Sequence, residues 1–206
     1  MNNLDCNCGI GLGRSKKDSF FNALALRNYY TKINSFIDKY SQGNQRVLDI
    51  GCGGGDTLLA MRKHFPNKRF EALDISFKMI NSSSKLNHVL HIQGSVYELP
   101  LKNNSYSMVI CTEVLEHLCN PEKALNELNR VTSKYCILGV PNEPLFSMAN
   151  LLRLRHIKNF GSTPGHIQNW NRRQFIDLVN KHFKILDYKI CCFVWTILMC
   201  EKYQKE

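Results

Sequence analysis

Residues 47–55 read Val-Leu-Asp-Ile-Gly-Cys-Gly-Gly-Gly. A short apolar run, Arg46–Ile50, ends in a cluster of glycines, and a helical stretch, Asp56–His64, follows at once. Strand, glycine turn and helix in that order make a ligand loop. Glycine lets the chain turn tightly and lets a ligand approach the backbone with no Cβ in the way. The first turn of the helix adds unpaired N–H groups. A dinucleotide loop would carry glycine at the last position of G-x-G-x-x-G, but Asp56 stands there. With Asp49 two places before the first glycine, carboxylates flank the loop on both sides. They repel a pyrophosphate and favour a cationic ligand.

Working outward, apolar runs and helical periods alternate. A helical period begins at Ser19, with Phe20, Leu24, Tyr30, Ile33 and Ile37 roughly on one face, and stops near Gly43. Beyond the loop, Arg69–Asp74 reads as strand, Ser76–Leu86 as helix, His88–Gln93 as strand and Tyr106–Thr112 as strand. Pro121–Thr132 is a helix with proline in its first turn, and Tyr135–Val140 is another strand. This alternation predicts an α/β fold whose parallel sheet is covered on both faces. In such sheets ligands sit beyond the carboxyl ends of the strands, at the switch of strand order. After Pro141 the pattern changes. Leu145–Ile157 is apolar and basic with helical character, and a Gly/Pro loop spans Gly161–His166. A helix starts after Asn171, with Gln174 completing a capping box. Phe183–Cys191 and Phe193–Cys200 predict an antiparallel hairpin closing the sheet edge. The organisation expected is a single domain over 1–206. Within it, 1–18 would be flexible, 19–42 a cap helix and 142–170 a substrate-side insertion.

Two further polar groups fall at strand ends. Asp74 lies about 20 residues beyond the loop, where a carboxylate can accept both hydroxyls of a ribose; the alternative is a helix N-cap before Ser76. Gly94-Ser95-Val96 follows the third strand, where a polar side chain and a backbone N–H can hold an adenine edge. In order, these residues resemble the class I S-adenosylmethionine (SAM)-dependent methyltransferases. Residues 47–55 are similar to that family's first motif and Leu-Asp-Ile-Ser at 73–76 to its second. Residues 94–118, GSVYELPLKNNSYSMVICTEVLEHL, are similar to the third and fourth. The resemblance is strong over 45–140 and weaker to the end. It implies an enzyme with a Rossmann-like, doubly wound sheet of seven strands, mostly parallel with an antiparallel last strand, and helices on both faces. It also implies SAM as the cofactor, whose sulfonium and ammonium suit the acidic flanks of the loop. By this resemblance Asp49, Gly51, Cys52 and Gly53 line the methionine part, and Asp74 with Ile75 holds the ribose. Ser95 and Val96 border the adenine, and Thr112 and Glu113 complete the cofactor contacts. The family usually has aspartate where Ser95 stands, so the strong acceptor for the adenine amino group is lost. The N-terminal helix would cover the cofactor, with Phe20, Phe21, Tyr29 and Tyr30 as lid candidates.

The acceptor side rests on Glu113-Val114-Leu115-Glu116-His117, after the fourth strand. Were this stretch helical, Glu113 would meet Glu116 at i,i+3 and His117 at i,i+4. Two carboxylates and an imidazole can bind a divalent metal, with His166 arriving from the later loop as a fourth ligand. E-x-x-E-H resembles the metal motif of the small-RNA 3′-terminal 2′-O-methyltransferases and the matching stretch of the ubiquinone-pathway O-methyltransferases. A cation there would lower the pKa of an acceptor hydroxyl. The alternative places Glu113 by the cofactor, Glu116 toward solvent and His117 along the pocket. His117 and His166 are the catalytic candidates. Residues 163–170 look like a cap segment of small-molecule methyltransferases, in which Trp170 is expected to pack rather than to stack on substrate.

Composition narrows the rest. The chain has 206 residues, 44% of them hydrophobic, enough for one sizeable core. It has no apolar run long enough to span a membrane. The first residues lack the basic-then-apolar order of a secretory signal, which predicts a cytoplasmic protein. Nine cysteines make an odd set, several within apolar runs, and read as reduced hydrophobes. Cys6 and Cys8 have no partner pair at zinc spacing. The net charge of +10 is concentrated outside the middle: residues 150–206 hold ten Lys/Arg against four Asp/Glu. Such flanks either serve solubility alone or draw anionic partners: a phosphorylated metabolite, RNA or a membrane surface. The expected function is methyl transfer to oxygen of a small metabolite. A metal-dependent RNA 2′-O-methyltransferase is the alternative, and a SAM-binding chain without chemistry is the third possibility.

Overall fold

The computed structural model describes residues 20–41, 46–152, 156 and 159–203, with side chains from residue 23 onward. The expectations for 1–18, including Cys6 and Cys8, and for the side chains of Phe20 and Phe21 lie outside these residues. A long helix, α1 (Phe20–Tyr40), leads into β1 (Arg46–Ile50), α2 (Asp56–His64), β2 (Arg69–Asp74), α3 (Phe77–Ser83) and β3 (Val89–Gln93). Then come β4 (Tyr106–Thr112), a 3-10 turn at Leu115–His117, α4 (Pro121–Val131) and β5 (Thr132–Pro141). The chain ends with α5 (Leu145–Leu152), α6 (Arg172–Val179), β6 (Phe183–Cys191) and β7 (Trp195–Lys202).

The strands form one seven-stranded sheet in the order β3-β2-β1-β4-β5-β7-β6. The first five are parallel, and β7 runs antiparallel between β5 and β6. Strand order reverses between β1 and β4, so the switch point lies at the end of β1, beside the glycine loop. Alternation along β4 shows why both faces are covered. Met108 and Ile110 join one core with Ile33 and Phe36 of α1, Met61 of α2 and Ile80 of α3. Val109 and Cys111 join the other with Leu125 and Leu128 of α4 and Phe175 of α6. Strands buried on both sides are apolar at most positions, as β4 is from Met108 to Cys111.

Local chemistry sets the helix starts. Asn120 caps α4, its side chain accepting from Lys123 N (3.0 Å), with Pro121 at the first position. Asn171 and Gln174 form the expected reciprocal capping box of α6. Two expectations are corrected. The stretch after β4 is not an α-helix: Glu113 turns left-handed (φ 60°) before the 3-10 turn. The last strand starts at Trp195, because Cys192 and Phe193 (φ 48° and 62°) make the hairpin turn. Among the described residues no helix is long and apolar enough to cross a membrane.

Candidate active site

The glycine loop needs glycine for a steric reason. Gly51 has φ 75°, and a Cβ there would come within 2.1 Å of Val114 Cγ2. Above Gly53 and Gly54, by contrast, a Cβ would meet nothing within 4 Å. The loop is thus tight underneath and open above, as a cradle for a ligand must be. Asp49 lies in β1 just before it, buried, with Oδ2 making no hydrogen bond. Burial, with Asp74 nearby, pushes its pKa up to about 7 and makes it a weaker acid. An unpartnered buried carboxyl is costly unless something answers it. A cation would both pair it and restore its ionised form.

Asp74 ties the second strand to the loop. Its Oδ2 accepts from Gly53 N and its Oδ1 from Ser76 N, both at 2.9 Å. The N-cap of α3 is Ser76, which accepts from Met79 N. The Asp74 carboxylate is therefore oriented by backbone donors and retains lone pairs for ribose hydroxyls. Ile75 beside it is 65% exposed, an apolar surface with no protein cover. Ser95 Oγ accepts from Tyr97 N (3.2 Å), so it shapes its own turn, and Val96 is buried below. Cys52 is no nucleophile: burial and the charges of Asp49 and Asp74 push its thiol up to about 12.

Across the sheet switch, the end of β4 and the loop over residues 161–170 build a second chamber. Thr112 is buried, and Glu113 N donates to Gly139 O. Glu116 is 1% exposed, and neither carboxylate oxygen has a partner. Burial, then the charge of Glu113, raises its pKa well above the usual range. Its carbonyl accepts from both Ile167 N and Gln168 N (2.8 and 2.9 Å), which docks the loop on the 3-10 turn. His117 Nδ1 lies 2.9 Å from the Gly165 carbonyl. A carbonyl only accepts, so Nδ1 carries a proton there, and in the neutral form of the ring Nε2 keeps the lone pair. The rings of His117 and His166 are 5.0 Å apart. Burial, then the neighbouring His117 and His156, depresses His166 to about 4, so it is neutral.

Of the four metal ligands expected, the structure brings three together: one ligand atom each of Glu116, His117 and His166 lies within 4.8 Å of the others. Glu113 is not in that group. Its left-handed backbone turns the carboxylate toward Trp195, whose Nε1 donates to Oε2 at 3.2 Å. Solvent does not receive Glu116 either; it points inward. One carboxylate and two imidazoles suit zinc or a similar transition ion, and the unsatisfied oxygens of Glu116 fit such an ion.

Sequence reasoning missed Phe146 and Trp195. Phe146 stacks on His166 (5.9 Å, 30°) and meets Trp195 edge-on, while Trp195 also contacts Tyr29. No local signal marks Trp195. It reaches the site because β7 is antiparallel, so its first residue pairs with Pro141 at the carboxyl end of β5. Of the proposed lid aromatics, Tyr29 is buried under Gly139 and Tyr30 is half-buried. Trp170 stacks on Phe175 and belongs to the core.

An open glycine cradle beside a buried acid, at the switch point of a sheet closed by an antiparallel strand, defines a class I methyltransferase fold. Comparison with known proteins agrees. A family model described as "Methyltransferase domain" matches residues 48–138. An uncharacterized methyltransferase of Schizosaccharomyces pombe is 30% identical over 48% of this chain and 40% of its own length. The ubiquinone/menaquinone biosynthesis C-methyltransferase of Campylobacter jejuni is 26% identical, over 75% of this chain and 77% of its own. Among solved structures, the magnesium protoporphyrin IX methyltransferase of Synechocystis, with bound SAH, superposes with a TM-score of 0.71. It covers 92% of this chain and 90% of that one at 17% identity, a likeness of fold. The chain spans less than half the length of several curated relatives it matches. Residues 48–138 are thus similar to a methyltransferase domain, and the fold is the one that SAM-dependent methyltransferases share.

Proposed function

We propose that this chain transfers a methyl group from SAM to an oxygen of a small acceptor held near His117 and His166. The observation that carries the proposal is Asp49, a buried carboxyl without a partner beside an open glycine cradle. SAM, when bound, supplies an electrophilic methyl on a sulfonium. Asp49 answers its positive charge, Asp74 accepts the ribose hydroxyls, and Ile75, Ser95 and Val96 border the adenine. Gly51, Cys52 and Gly53 line the methionine part, with Thr112 and Glu113 at its far side. Phe146 and Trp195 shield the acceptor from water. The acceptor oxygen bonds to the methyl carbon as the carbon–sulfur bond breaks, and the pair of that bond stays on sulfur. His117 Nε2, or the neutral His166, takes the hydroxyl proton. The work takes place in the cytoplasm, where the cysteines described as free stay reduced.

SAM and its thioether product should each raise the melting temperature of the wild type, and SAM should raise it less for Asp49→Asn. If neither ligand shifts the wild type, the chain does not use SAM. His117→Ala should lower turnover about a hundredfold with cofactor affinity unchanged. Turnover equal to wild type would point to a carbon acceptor, the chemistry in the name of the Campylobacter relative, or to an acceptor needing no base. Retained SAM binding without transfer to any acceptor would favour the inactive, SAM-binding alternative.

The unpartnered oxygens of Glu116 beside two imidazoles favour a second reading, a metal-dependent 2′-O-methyltransferase of RNA. A divalent cation held by Glu116, His117 and His166 would lower the pKa of the acceptor hydroxyl. Activity that survives a strong chelator and Glu116→Gln would end this version. So would oligonucleotide binding that is absent or insensitive to salt.

A further inference from the structure

The turn between β6 and β7 is built from residues that resist it. Val194 N donates to Cys191 O at 3.1 Å, closing a turn over Cys192 and Phe193, and both have left-handed backbones (φ 48° and 62°). Hairpin turns of that hand favour Asn-Gly, because a Cβ is costly at positive φ. Cysteine and phenylalanine stand here instead, with Phe193 78% exposed. Such strain persists only where the surroundings hold it, and it collects at switch regions.

Successive side chains on a strand point to opposite faces. The left-handed turn at Cys192 undoes this alternation. Cys191 Sγ and Cys192 Sγ lie 3.8 Å apart, the first buried in the core and the second at the surface. The Cys191 thiol faces two acceptors on α1, Asn28 Oδ1 at 3.1 Å and the Ala25 carbonyl at 3.6 Å. Next to Asn28 stands Tyr29, packed on Trp195 and against Gly139 at the candidate site. One thiol therefore fastens α1 to the edge of the sheet, and the other lies in contact with it. Burial, then the charge of Cys192, pushes Cys191 up to about 12, which leaves the exposed Cys192 as the attacking thiol.

We propose that Cys191 and Cys192 form a redox-modified dithiol, which a small-molecule disulfide oxidises to a vicinal disulfide that unfastens α1. The Cys192 thiolate attacks one sulfur of the oxidant and expels the first thiolate. Cys191 then loses its proton to solvent and attacks Cys192 Sγ, expelling the second. The protein gives up two hydrogens, and the oxidant becomes two thiols. In the product Cys191 has no S–H left to donate to Asn28 or Ala25. Adjacent Cα atoms are about 3.8 Å apart, nearer than an ordinary disulfide spans, so thiols reverse the bond readily. In a reducing compartment the pair rests as the dithiol. Neither step involves SAM, so the switch stands whether or not the chain transfers methyl groups.

The full chain is to be incubated with oxidised glutathione and digested without reductant. Mass spectrometry should find the peptide holding Cys191 and Cys192 two hydrogens lighter, and dithiothreitol should restore it. Amide exchange over residues 25–29 should become about tenfold faster in the oxidised chain, while β1 and β4 keep their protection. Cys192→Ser cannot close the bond, so the same treatment should leave its exchange along α1 unchanged. A wild type that stays the dithiol, a glutathione adduct on Cys192 that never closes, or a bridge from either residue to another cysteine each overturns the proposal. So does a closed bond that leaves exchange along α1 as it was, or one that opens the central strands equally. Faster exchange along α1 in treated Cys192→Ser, as large as in the wild type, assigns the effect to other cysteines and overturns it too.

Discussion

Asp49 sits where a carboxylate is hard to keep charged, buried beside Asp74 with one oxygen unpaired. Its folded pKa, about 7, lies above the ordinary 3.8. Below pH 3.8 both folded and unfolded chains hold the proton and nothing is lost. Between that value and about 7 the folded chain grows less stable, and above it the loss is constant at up to about 4 kcal/mol. Asp49→Asn should therefore be more stable than the wild type by an amount that grows across this window. Denaturant titration at several pH values checks it, and a constant difference would contradict the assignment. Cofactor affinity should move the other way, tightening through about pH 7 in the wild type because the ionised acid answers a cation. In calorimetry the variant should lack that dependence. Gly51 poses a steric problem instead. Gly51→Ala meets Val114 and a left-handed backbone, so it should cost about 2–4 kcal/mol by the same titration.

Capping and turn chemistry act at the scale of elements. Asn171→Ala removes half of a reciprocal capping box and should lower stability by about 1 kcal/mol without touching SAM affinity. That box was legible from two residues three apart, since its physics is local. The stretch 113–117 was not. Its spacing suits a helix, but Glu113 N is drawn to Gly139 O across the sheet and the backbone turns left-handed to follow. The tertiary bond outweighs propensity, and with it Glu113 leaves the histidine group for Trp195. Trp195→Phe keeps an aromatic ring and removes that hydrogen bond. It should lower turnover about tenfold and leave cofactor affinity unchanged, as steady-state kinetics and calorimetry can separate. Equal turnover would make the contact merely structural.

Over the whole molecule, the sheet order sets both stability and site. Strands β1, β4 and β5 have neighbours on both sides, while β3 and β6 are edges. Amide exchange should be slowest in Val109, Ile110 and Ile137 and faster along β3 and the outer half of β6. Uniform protection would contradict this arrangement. The central elements could be read directly because parallel strands buried on both faces are mostly apolar, and glycine follows β1 where a ligand approaches. Asp49, Gly51, Gly53 and Asp74 could be assigned to one site because each lies at the end of a strand in a sheet whose order is shared by the fold. The acceptor side depends on contacts between distant segments. Trp195 enters through an antiparallel strand inserted beside β5, Phe146 through the inward face of α5, and His166 through a loop docked on the Glu116 carbonyl. Local periodicity cannot encode such meetings. Residues 47–55, with Asp56 after them, sufficed for the loop and its preference for positive charge, since glycine sterics and nearby carboxylates act within a few bonds. The unpaired state of Asp49, and the chamber that faces it, exist only once the packed sheet removes water from both.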